Sequence, residues 1–309
     1  MDLDELFDES LTVGSRRFLE LISNVNQIFS SEEREAHIGD LKITGRLIHM
    51  PAQGEVIIIG DIHGDLSSLR RILSESKFLD KALSKSDIHL IFLGDYGDRG
   101  VYSPETYYVV LTLKNMFPKR VLLLQGNHEG PESLPVYPHD LPHHLNRKFG
   151  SDGPKVYDAL SRLFRRFYTA VLVNGKYIML HGGVPSNAKS LEDVAFAYRK
   201  HPVESHLKEI LWSDPVDGIR GKYPSPRGAG YLFGEDITSD FLKMLDVKFL
   251  IRGHEPSENG YKFNHKGKVL TLFSRKGAPY YNTYAAYLTL NLSRNYNSAS
   301  EIEERIRKF

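Results

Sequence analysis

The sequence contains no cysteine among its 309 residues. This absence excludes disulfide bonds and thiolate ligands, so a metal site in this chain must be built from oxygen and nitrogen donors. Long apolar runs are also missing, and none approaches the roughly 20 residues that a membrane-spanning helix requires. The acidic start at Met1–Glu5 is followed by no apolar secretory stretch. We therefore expect a cytoplasmic protein with no membrane partner.

An excess of either charge is missing as well. The 40 lysines and arginines almost balance the 39 aspartates and glutamates, which leaves a formal net charge of +1. Because nucleic-acid-binding domains are usually strongly basic, we expect no nucleic-acid partner. The apolar fraction of 41% is enough for a large core, and the chain is long enough for one large domain or two small ones.

Five short motifs rich in glycine, aspartate and histidine stand out, and each follows an apolar run typical of a buried β-strand. The apolar runs occupy residues 56–59, 90–93, 121–124, 177–180 and 248–251. Helical patterns between several of them indicate parallel crossover units and an α/β fold with two packed sheets and helices outside. The polar side chains would then meet at the strand ends. The motifs are Gly60-Asp61-Ile62-His63-Gly64, Gly94-Asp95-Tyr96-Gly97-Asp98-Arg99-Gly100, Gly126-Asn127-His128-Glu129, His181-Gly182-Gly183 and Arg252-Gly253-His254-Glu255.

The residue types in these motifs predict a site for two metal ions. Asp61 and His63 project to the same side, because residues two apart in an extended segment point the same way. They can bind one ion, and the two oxygens of Asp95 can bridge to a second ion about 3.5–4 Å away. The second site is completed by Asn127, His181 and His254. We expect two divalent ions, manganese first, with iron, zinc or cobalt as alternatives that suit the same donors.

Further residues supply the chemistry that a metal pair lacks. His128 directly follows a predicted ligand and is placed to give a proton to a leaving oxygen. Asp98 is the expected partner that keeps this ring charged and fixes its orientation. Arg99 and Arg227 provide planar cationic groups that match phosphate oxygens. The histidines of the proline-rich stretch 130–154 are expected to face solvent, namely His139, His143 and His144.

Together the motifs resemble the signatures of the phosphoprotein phosphatase family, the serine/threonine phosphatases of the calcineurin-like metallophosphoesterase superfamily. The likeness covers roughly residues 45–290, and the compact unit is similar to prokaryotic or archaeal members. It implies a central two-sheet β-sandwich flanked by helices, with a bimetal site at the strand ends. The likeness continues outside the five motifs in Leu211-Trp212-Ser213-Asp214-Pro215, Arg227-Gly228, Phe233-Gly234 and Leu270–Ser274.

Position by position, the resemblance implies the same ligands and the same acid pair of His128 and Asp98. It implies that substrate is bound by Arg99, Asn127, Arg227 and a tyrosine. The family's Ser-Ala-Pro-Asn-Tyr loop is replaced here by residues 274–281, so Tyr280 is the first choice for that tyrosine and Tyr281 the second. Two more departures are Gly97, where the family usually has a larger apolar residue, and the loop after Glu129.

We predict hydrolysis of phosphoserine and phosphothreonine in a phosphoprotein or phosphopeptide, by direct attack of a metal-bridging hydroxide on phosphorus with His128 as general acid. One alternative is a dinucleoside-tetraphosphate hydrolase of the same superfamily, which typically has aspartate in place of Glu129. Another is a pseudophosphatase that binds phosphoproteins without cleaving them, which the complete ligand set disfavours. The sequence identifies no regulatory subunit. The predicted domains are a helical extension packed on the catalytic domain at 1–40, the metallophosphoesterase catalytic domain at 41–295 and a charged C-terminal tail at 296–309.

Overall fold

A computed structural model describes residues 2–309 of the chain. The helices are α1 (Leu3–Thr12), α2 (Ser15–Glu35), α3 (Leu66–Ser76), α4 (Phe78–Leu83), α5 (Ser103–Met116), α6 (Leu141–Phe149), α7 (Gly153–Phe164), α8 (Leu191–Ala195), α9 (Ala197–Lys200), α10 (His206–Trp212), α11 (Glu235–Met244) and α12 (Ala299–Glu303). The strands are β1 (His37–Ile38), β2 (Leu41–Thr44), β3 (Leu47–Met50), β4 (Glu55–Ile59), β5 (Ile88–Phe92), β6 (Val121–Leu123), β7 (Ala170–Val173), β8 (Tyr177–Leu180), β9 (Asp214–Pro215), β10 (Lys222–Pro224), β11 (Tyr231–Phe233), β12 (Phe249–Arg252), β13 (Tyr261–Asn264), β14 (Val269–Leu272), β15 (Ala286–Asn291) and β16 (Ile306–Lys308). Short 3₁₀ turns occupy Gly150–Asp152 and His265–Gly267.

Two large sheets form the centre of the fold. One has eight strands in the order β1-β2-β3-β7-β8-β12-β14-β13, and the other has five in the order β16-β15-β4-β5-β6. A small third sheet has the order β10-β11-β9. The predicted α/β metallophosphoesterase fold, with sheets packed together and helices outside, is confirmed by this architecture.

Alternating side chains of the eight-stranded sheet divide between two apolar clusters, as the two-residue period of a strand requires. In β8, Tyr177 and Met179 join the cluster shared with the five-stranded sheet, whereas Ile178 and Leu180 join a second cluster under α8 to α11. In β4, four consecutive residues from Val56 to Ile59 are fully buried. Such continuous apolar strands are typical of parallel sheets that are covered on both faces.

The N-terminal helices pack on the outside of the sandwich. The apolar stripe of α2, which includes Phe18 and Val25, is buried against α5 and α7. Beside it, the buried Lys114 ammonium lies 2.6 Å from a carboxylate oxygen of Glu32. The segment predicted as a charged tail contributes α12 and the strand β16, which pairs antiparallel with β15. Among residues 2–309, no helix has both the length and the apolar character that a bilayer crossing needs.

The strand directions bring all five motifs to one edge of the molecule. Strands β4, β5 and β6 are parallel, and so are β8 and β12 in the other sheet. A bridge between Asp61 and Phe273 connects the two sheets at their carboxyl ends. The segments that follow these five strands therefore face one another.

Candidate active site

The first group of predicted ligands lies at the ends of β4 and β5. Nε2 of His63 lies 3.8 Å from Oδ2 of Asp61 and 3.4 Å from Oδ2 of Asp95. All three side chains are buried. Nδ1 of His63 lies 2.8 Å from the carbonyl oxygen of Gly97, so the proton is on Nδ1 and the lone pair of Nε2 faces the carboxylates. Oδ2 of Asp61 is buried without any hydrogen-bond partner. A carboxylate oxygen that binds a metal ion is expected to have this environment.

The second group lies around the side-chain oxygen of Asn127. This oxygen is 3.1 Å from Nε2 of His181 and 3.1 Å from Nδ1 of His254. Nδ1 of His181 donates to the carbonyl oxygen of Leu93 at 2.9 Å, which leaves its Nε2 as an acceptor. The amide oxygen of Asn127 thus faces only acceptors, and only a reversed amide would place a donor there. A cation bound between these atoms would accept electron pairs from the amide oxygen and from both ring nitrogens.

Asp95 connects the two groups. Its Oδ2 faces His63 and its Oδ1 lies 3.5 Å from Nε2 of His181. Burial keeps the pKa values of the ligand histidines well below their ordinary value, so these rings are neutral, which is the form that binds metal. The donor set therefore fits two divalent cations that share one carboxylate. The histidines concerned are His63, His181 and His254.

Removal of metal is expected to make the stability of the protein fall as the pH rises. Burial raises the pKa of Asp61 to about 7, and burial together with the charge of Asp61 raises the pKa of Asp95 well above its ordinary value. A carboxyl whose pKa is higher in the folded chain than in the unfolded chain destabilises the fold once it ionises. The three buried histidines act in the opposite sense, because they stay neutral in the fold while histidines of the unfolded chain bind protons below about pH 6.5. The metal-free protein should therefore lose stability as the pH rises above about 7, where these histidines are neutral in both states.

The melting temperature after EDTA treatment, measured from about pH 7 to about pH 9, checks this expectation. Added manganese should raise the melting temperature most at the alkaline end, because ionised carboxylates bind metal more tightly. A metal-free melting temperature that rises across this range, or a manganese effect that is largest at the lower end of the range, would contradict the assignment of these two carboxylates.

His128 and Asp98, the two residues predicted to form the acid pair, are in contact. Nδ1 of His128 lies 2.6 Å from Oδ2 of Asp98, and the other carboxylate oxygen accepts hydrogen bonds from the backbone N–H groups of Asp140 and Leu141. Burial alone would raise the pKa of Asp98, but hydrogen bonds from His128 and His139 hold that pKa far below its usual range. Asp98 is thus a permanent anion that orients the ring of His128.

His139 is not a solvent-facing residue, which corrects the expectation from the sequence. Its Nδ1 lies 2.8 Å from Oδ2 of Asp98, the same oxygen that His128 contacts. Its Nε2 lies 2.8 Å from the hydroxyl of Tyr157 on α7. Its side chain is 28% exposed, and the bond to Asp98 raises the pKa of His139. The proline-rich loop folds back on the acid pair, and the sequence pattern alone did not show this.

The two predicted phosphate-binding arginines are held at the border of the site. Arg99 donates from Nη2 to the carbonyl oxygen of Tyr137 at 2.8 Å. Arg227 donates from Nε to Oδ2 of Asp214 at 2.8 Å, and its side chain is 37% exposed. The other oxygen of Asp214 lies 2.9 Å from Nη2 of the buried Arg252. Asp214 therefore positions Arg227 while leaving part of its guanidinium open to a ligand.

The loop that departs from the family pattern places Tyr280, rather than Tyr281, at the site. The ring of Tyr280 stacks on the ring of His63 with centroids 5.7 Å apart, whereas Tyr281 is 78% exposed. Arg275 holds this loop in place, because its buried guanidinium donates to the carbonyl oxygens of His63 and Ala278. The sequence did not indicate a role for Arg275.

Glu129 holds the loops of the site through hydrogen bonds, and the sequence did not indicate this role. Its buried carboxylate accepts hydrogen bonds from the backbone N–H groups of Asp95 and Gly126, at 2.9 and 3.1 Å, and from the hydroxyl of Tyr107 at 2.5 Å. A Cβ at position 97 would lie 2.5 Å from the ring of Tyr107, so Gly97 makes room for that ring. The place of Glu129 at the end of the third motif was the one feature of the sequence that could have indicated this role.

The backbone at the site is strained. Five residues of the site other than glycine have φ values between 43° and 72°, in the left-handed region. Each such conformation costs of order 1–3 kcal/mol and is typical of functional sites. The hydrogen bonds of the surrounding loops hold these conformations in place. The residues are His63, Asp95, Asp98, Arg99 and His254.

The sequence matches a known protein family and a probable phosphatase. Residues 54–258 match the family described as calcineurin-like phosphoesterase. Over 263 residues the chain is 37% identical to a probable serine/threonine-protein phosphatase of Encephalitozoon cuniculi, which covers 84% of this chain and 54% of that protein. The chain thus spans about half the length of the curated relative it matches.

The fold is similar to that of two solved phosphatase structures. A protein serine/threonine phosphatase from Saccharomyces cerevisiae, with similarity to human phosphatase PP5, matches with a TM-score of 0.74 and 22% identity over 96% of this chain and 90% of that chain. A cold-active protein-tyrosine phosphatase of a psychrophilic Shewanella species matches with a TM-score of 0.57 and 20% identity over 80% of this chain and 78% of that chain. At these identities the likeness concerns the fold alone.

Proposed function

Because the chain belongs to the calcineurin-like phosphoesterase family, we propose that it is a metal-dependent phosphatase that hydrolyses phosphoserine and phosphothreonine in proteins. The observation that carries the proposal is the position of Asp95, whose two oxygens face different groups of ligand side chains. The acid pair of His128 and Asp98 lies beside them. The probable serine/threonine-protein phosphatase of Encephalitozoon cuniculi supports this class of substrate.

The metal pair that we propose is manganese, with iron, zinc or cobalt as alternatives. Asp61, His63 and Asp95 would hold one ion, and Asp95 would hold the second together with Asn127, His181 and His254. When bound, the ions supply a nucleophile from water at neutral pH and offset the negative charge of the phosphoryl group. Because no side chain would be phosphorylated in this reaction, a single displacement would invert the configuration at phosphorus.

His128 is the proposed general acid. Its Nδ1 is occupied by Asp98, so Nε2 is the atom that holds the proton for the leaving serine or threonine oxygen. The ligand atoms of His63, Asp95 and His128 lie within 4.8 Å of one another, which places the acid beside the metal ligands. Proton transfer to the leaving oxygen avoids the expulsion of an alkoxide, which is a poor leaving group in water.

The remaining predicted residues are proposed to bind the phosphoryl group. Arg99 and Arg227 offer guanidinium groups whose fork matches phosphate oxygens. Asn127 presents its amide to the same space from the end of β6. Tyr280 stacks on the ring of His63. It borders the site on the side of residues 274–281, the loop that differs from the family pattern. Each of these groups binds negative charge or excludes water where the reaction takes place.

Substitution of His139 is expected to weaken catalysis, because His139 positions the acid pair. His139→Gln should lower kcat about tenfold with little change in KM, as is typical when an outer hydrogen-bond partner is lost. The alkaline limb of the pH profile of kcat should also move to higher pH, because a cationic neighbour of Asp98 is removed. His143→Gln is the matched control, since the ring of His143 lies against that of His144 and, among residues 2–309, has no hydrogen bond or ion pair. Equal kcat values and unshifted profiles for both variants would exclude this role.

A substrate panel tests the proposed function. The purified protein, loaded with manganese, is offered phosphoserine, phosphothreonine and phosphotyrosine peptides and diadenosine tetraphosphate, with and without EDTA. We expect fastest hydrolysis of the phosphoserine and phosphothreonine peptides, abolished by EDTA and restored by manganese. Faster hydrolysis of diadenosine tetraphosphate would favour the nucleotide hydrolase instead. Tight binding of phosphopeptides without hydrolysis under any metal would favour the pseudophosphatase.

The cytoplasmic location and the prokaryotic or archaeal type stay predictions.

A further inference from the structure

A pocket of about 300 Å³ lies directly beside the acid pair. Its lining residues include Asn127 and His128, together with residues of the proline-rich loop and of α7. Most of the wall is apolar, and Leu134, Val136 and Phe164 contribute to it. A substrate chain bound at the metal ligands would therefore continue across an apolar surface that the unusual loop of this protein provides.

A second pocket of about 340 Å³ follows the first, and Arg165 lines both. Four guanidinium groups line this second pocket, and Glu33 is the carboxylate among its lining residues. We call these four residues the arginine cluster. One of them lies in the turn before β3, and the other three lie at the end of α7. The arginine cluster is Arg46, Arg162, Arg165 and Arg166.

The positive charge of the arginine cluster is only partly balanced. Arg166 lies 3.0 Å from a carboxylate oxygen of Glu33, and Arg165 lies 3.1 Å from one of Glu132. Both carboxylates are mostly exposed, at 68% and 88%, so these ion pairs are weak. In the part of the chain that the structure describes, Arg46 and Arg162 have no carboxylate partner within ion-pair distance.

Arg46 gives the clearest sign that the pocket accepts an anion. Its guanidinium lies 3.9 Å from the centre of the Tyr198 ring and donates to the carbonyl oxygen of Arg165. These contacts fix the group without neutralising it, and burial lowers the pKa of Arg46 to about 10. A partly buried cation with no carboxylate within ion-pair distance is costly, and an anion bound in the pocket would offset this cost.

The arginine cluster has a fixed position relative to the acid pair. The backbone N–H of Gln125, two residues before Asn127, donates to the carbonyl oxygen of Tyr168 at 2.7 Å. The side chain of Gln125 donates to the carbonyl oxygen of Glu129 at 2.8 Å. The chain that carries Arg165 and Arg166 is thereby bonded to the third motif. We call the two pockets together the groove, because Arg165 lines both of them and His128 lines the first.

We infer that this groove selects phosphoprotein substrates that carry acidic residues near the phosphorylated residue. The carboxylates of the substrate bind the arginine cluster, and the intervening residues lie on the apolar wall. The inference rests on the proposed function for its catalytic part, but binding of an acidic peptide to the arginine cluster does not require hydrolysis. Charge complementarity is the reason to choose an acidic protein segment as the occupant.

Binding is measured first, with a fluorescent peptide that contains a run of glutamates and no phosphate. The double variant R162Q/R165Q is expected to raise its Kd about tenfold, because two surface ion pairs with the peptide are lost. The matched control is R294Q/R307Q, which removes two arginines from another arginine-lined pocket at the opposite end of β4. The control should bind the peptide as the unmodified protein does. An equal Kd for all three proteins would overturn the inference.

Hydrolysis is measured second, with a phosphothreonine peptide flanked by glutamates and a matched peptide flanked by glutamines. The ratio of their kcat/KM values should be about 10 at low salt, should fall as salt is added and should approach 1 in R162Q/R165Q. A ratio near 1 in the unmodified protein contradicts the inference but leaves the phosphatase activity intact. Failure to cleave either peptide contradicts the proposed function, while the binding result still decides the role of the arginine cluster.

Discussion

Asp95→Asn is expected to lower kcat/KM for a phosphopeptide by at least about 10³, because the nucleophile depends on a metal pair that this carboxylate joins. Each oxygen of Asp95 faces one group of ligands, and an amide can replace at most one of them as an acceptor. Elemental analysis should show that the variant retains at most one ion per chain. Steady-state kinetics with excess manganese measure the loss of activity.

The fold of this variant should survive, which separates the loss of metal from unfolding. Asn and Asp have nearly the same shape, and the substitution removes the repulsion between the buried Asp61 and Asp95 carboxylates. The metal-free variant should therefore melt at or above the temperature of the metal-free parent near neutral pH. Asp2→Asn is the control, because the exposed Asp2 caps α1 and asparagine is an equally good cap. Full activity of Asp95→Asn would refute the bridging role.

His128→Asn is expected to lower kcat for a phosphoserine peptide by about 10²–10⁴ while both metal ions stay bound. Asparagine keeps a polar group beside Asp98 but cannot deliver a proton to the leaving oxygen. The loss should be much smaller for p-nitrophenyl phosphate, whose leaving group is stable as an anion. Kinetics on both substrates, together with elemental analysis, give the comparison.

The difference between the two substrates is the decisive readout for His128. If His128 only supports the metal ligands, its loss should slow both substrates equally and reduce the metal content. If it is the acid, the phosphoserine peptide suffers selectively and the metal content is unchanged. An equal loss on both substrates would therefore count against the proton-donor role even if the variant is well folded.

The parts of the fold near the site could be predicted from the sequence because buried parallel strands leave an unmistakable pattern. The run at residues 56–59 appears as β4 and the run at 177–180 as β8. The motifs then follow from the strand ends, so the structure brings Asp61, Asp95 and His254 together as the sequence indicates. Residues separated by nearly 200 positions meet because parallel strands share one edge.

Contacts made by irregular segments could not be predicted in this way. His139 reaches Asp98 only because the loop after Glu129 folds back, and neither period nor spacing encodes that path. The support of Asp95 by Glu129 and Tyr107 joins a motif to the interior of α5. These contacts depend on the packed arrangement of elements that are far apart in the sequence.

The arginine cluster also could not be predicted from the sequence, because its members come from elements that are far apart along the chain. Arg46 comes from a turn and the other members from the end of α7, so no local pattern in the sequence marks the pocket. The near-neutral net charge of the whole chain conceals this local excess of positive charge. Overall composition therefore excluded a general polyanion binder without excluding a small site for acidic residues.

The most direct test of the central claim is the anomalous diffraction signal from crystals of the manganese-loaded protein. The account predicts two peaks about 3.5–4 Å apart, one among Asp61, His63 and Asp95 and the other among Asn127, His181 and His254. Each oxygen of Asp95 should contact one peak. A single peak, or two peaks that do not both contact Asp95, would contradict the account.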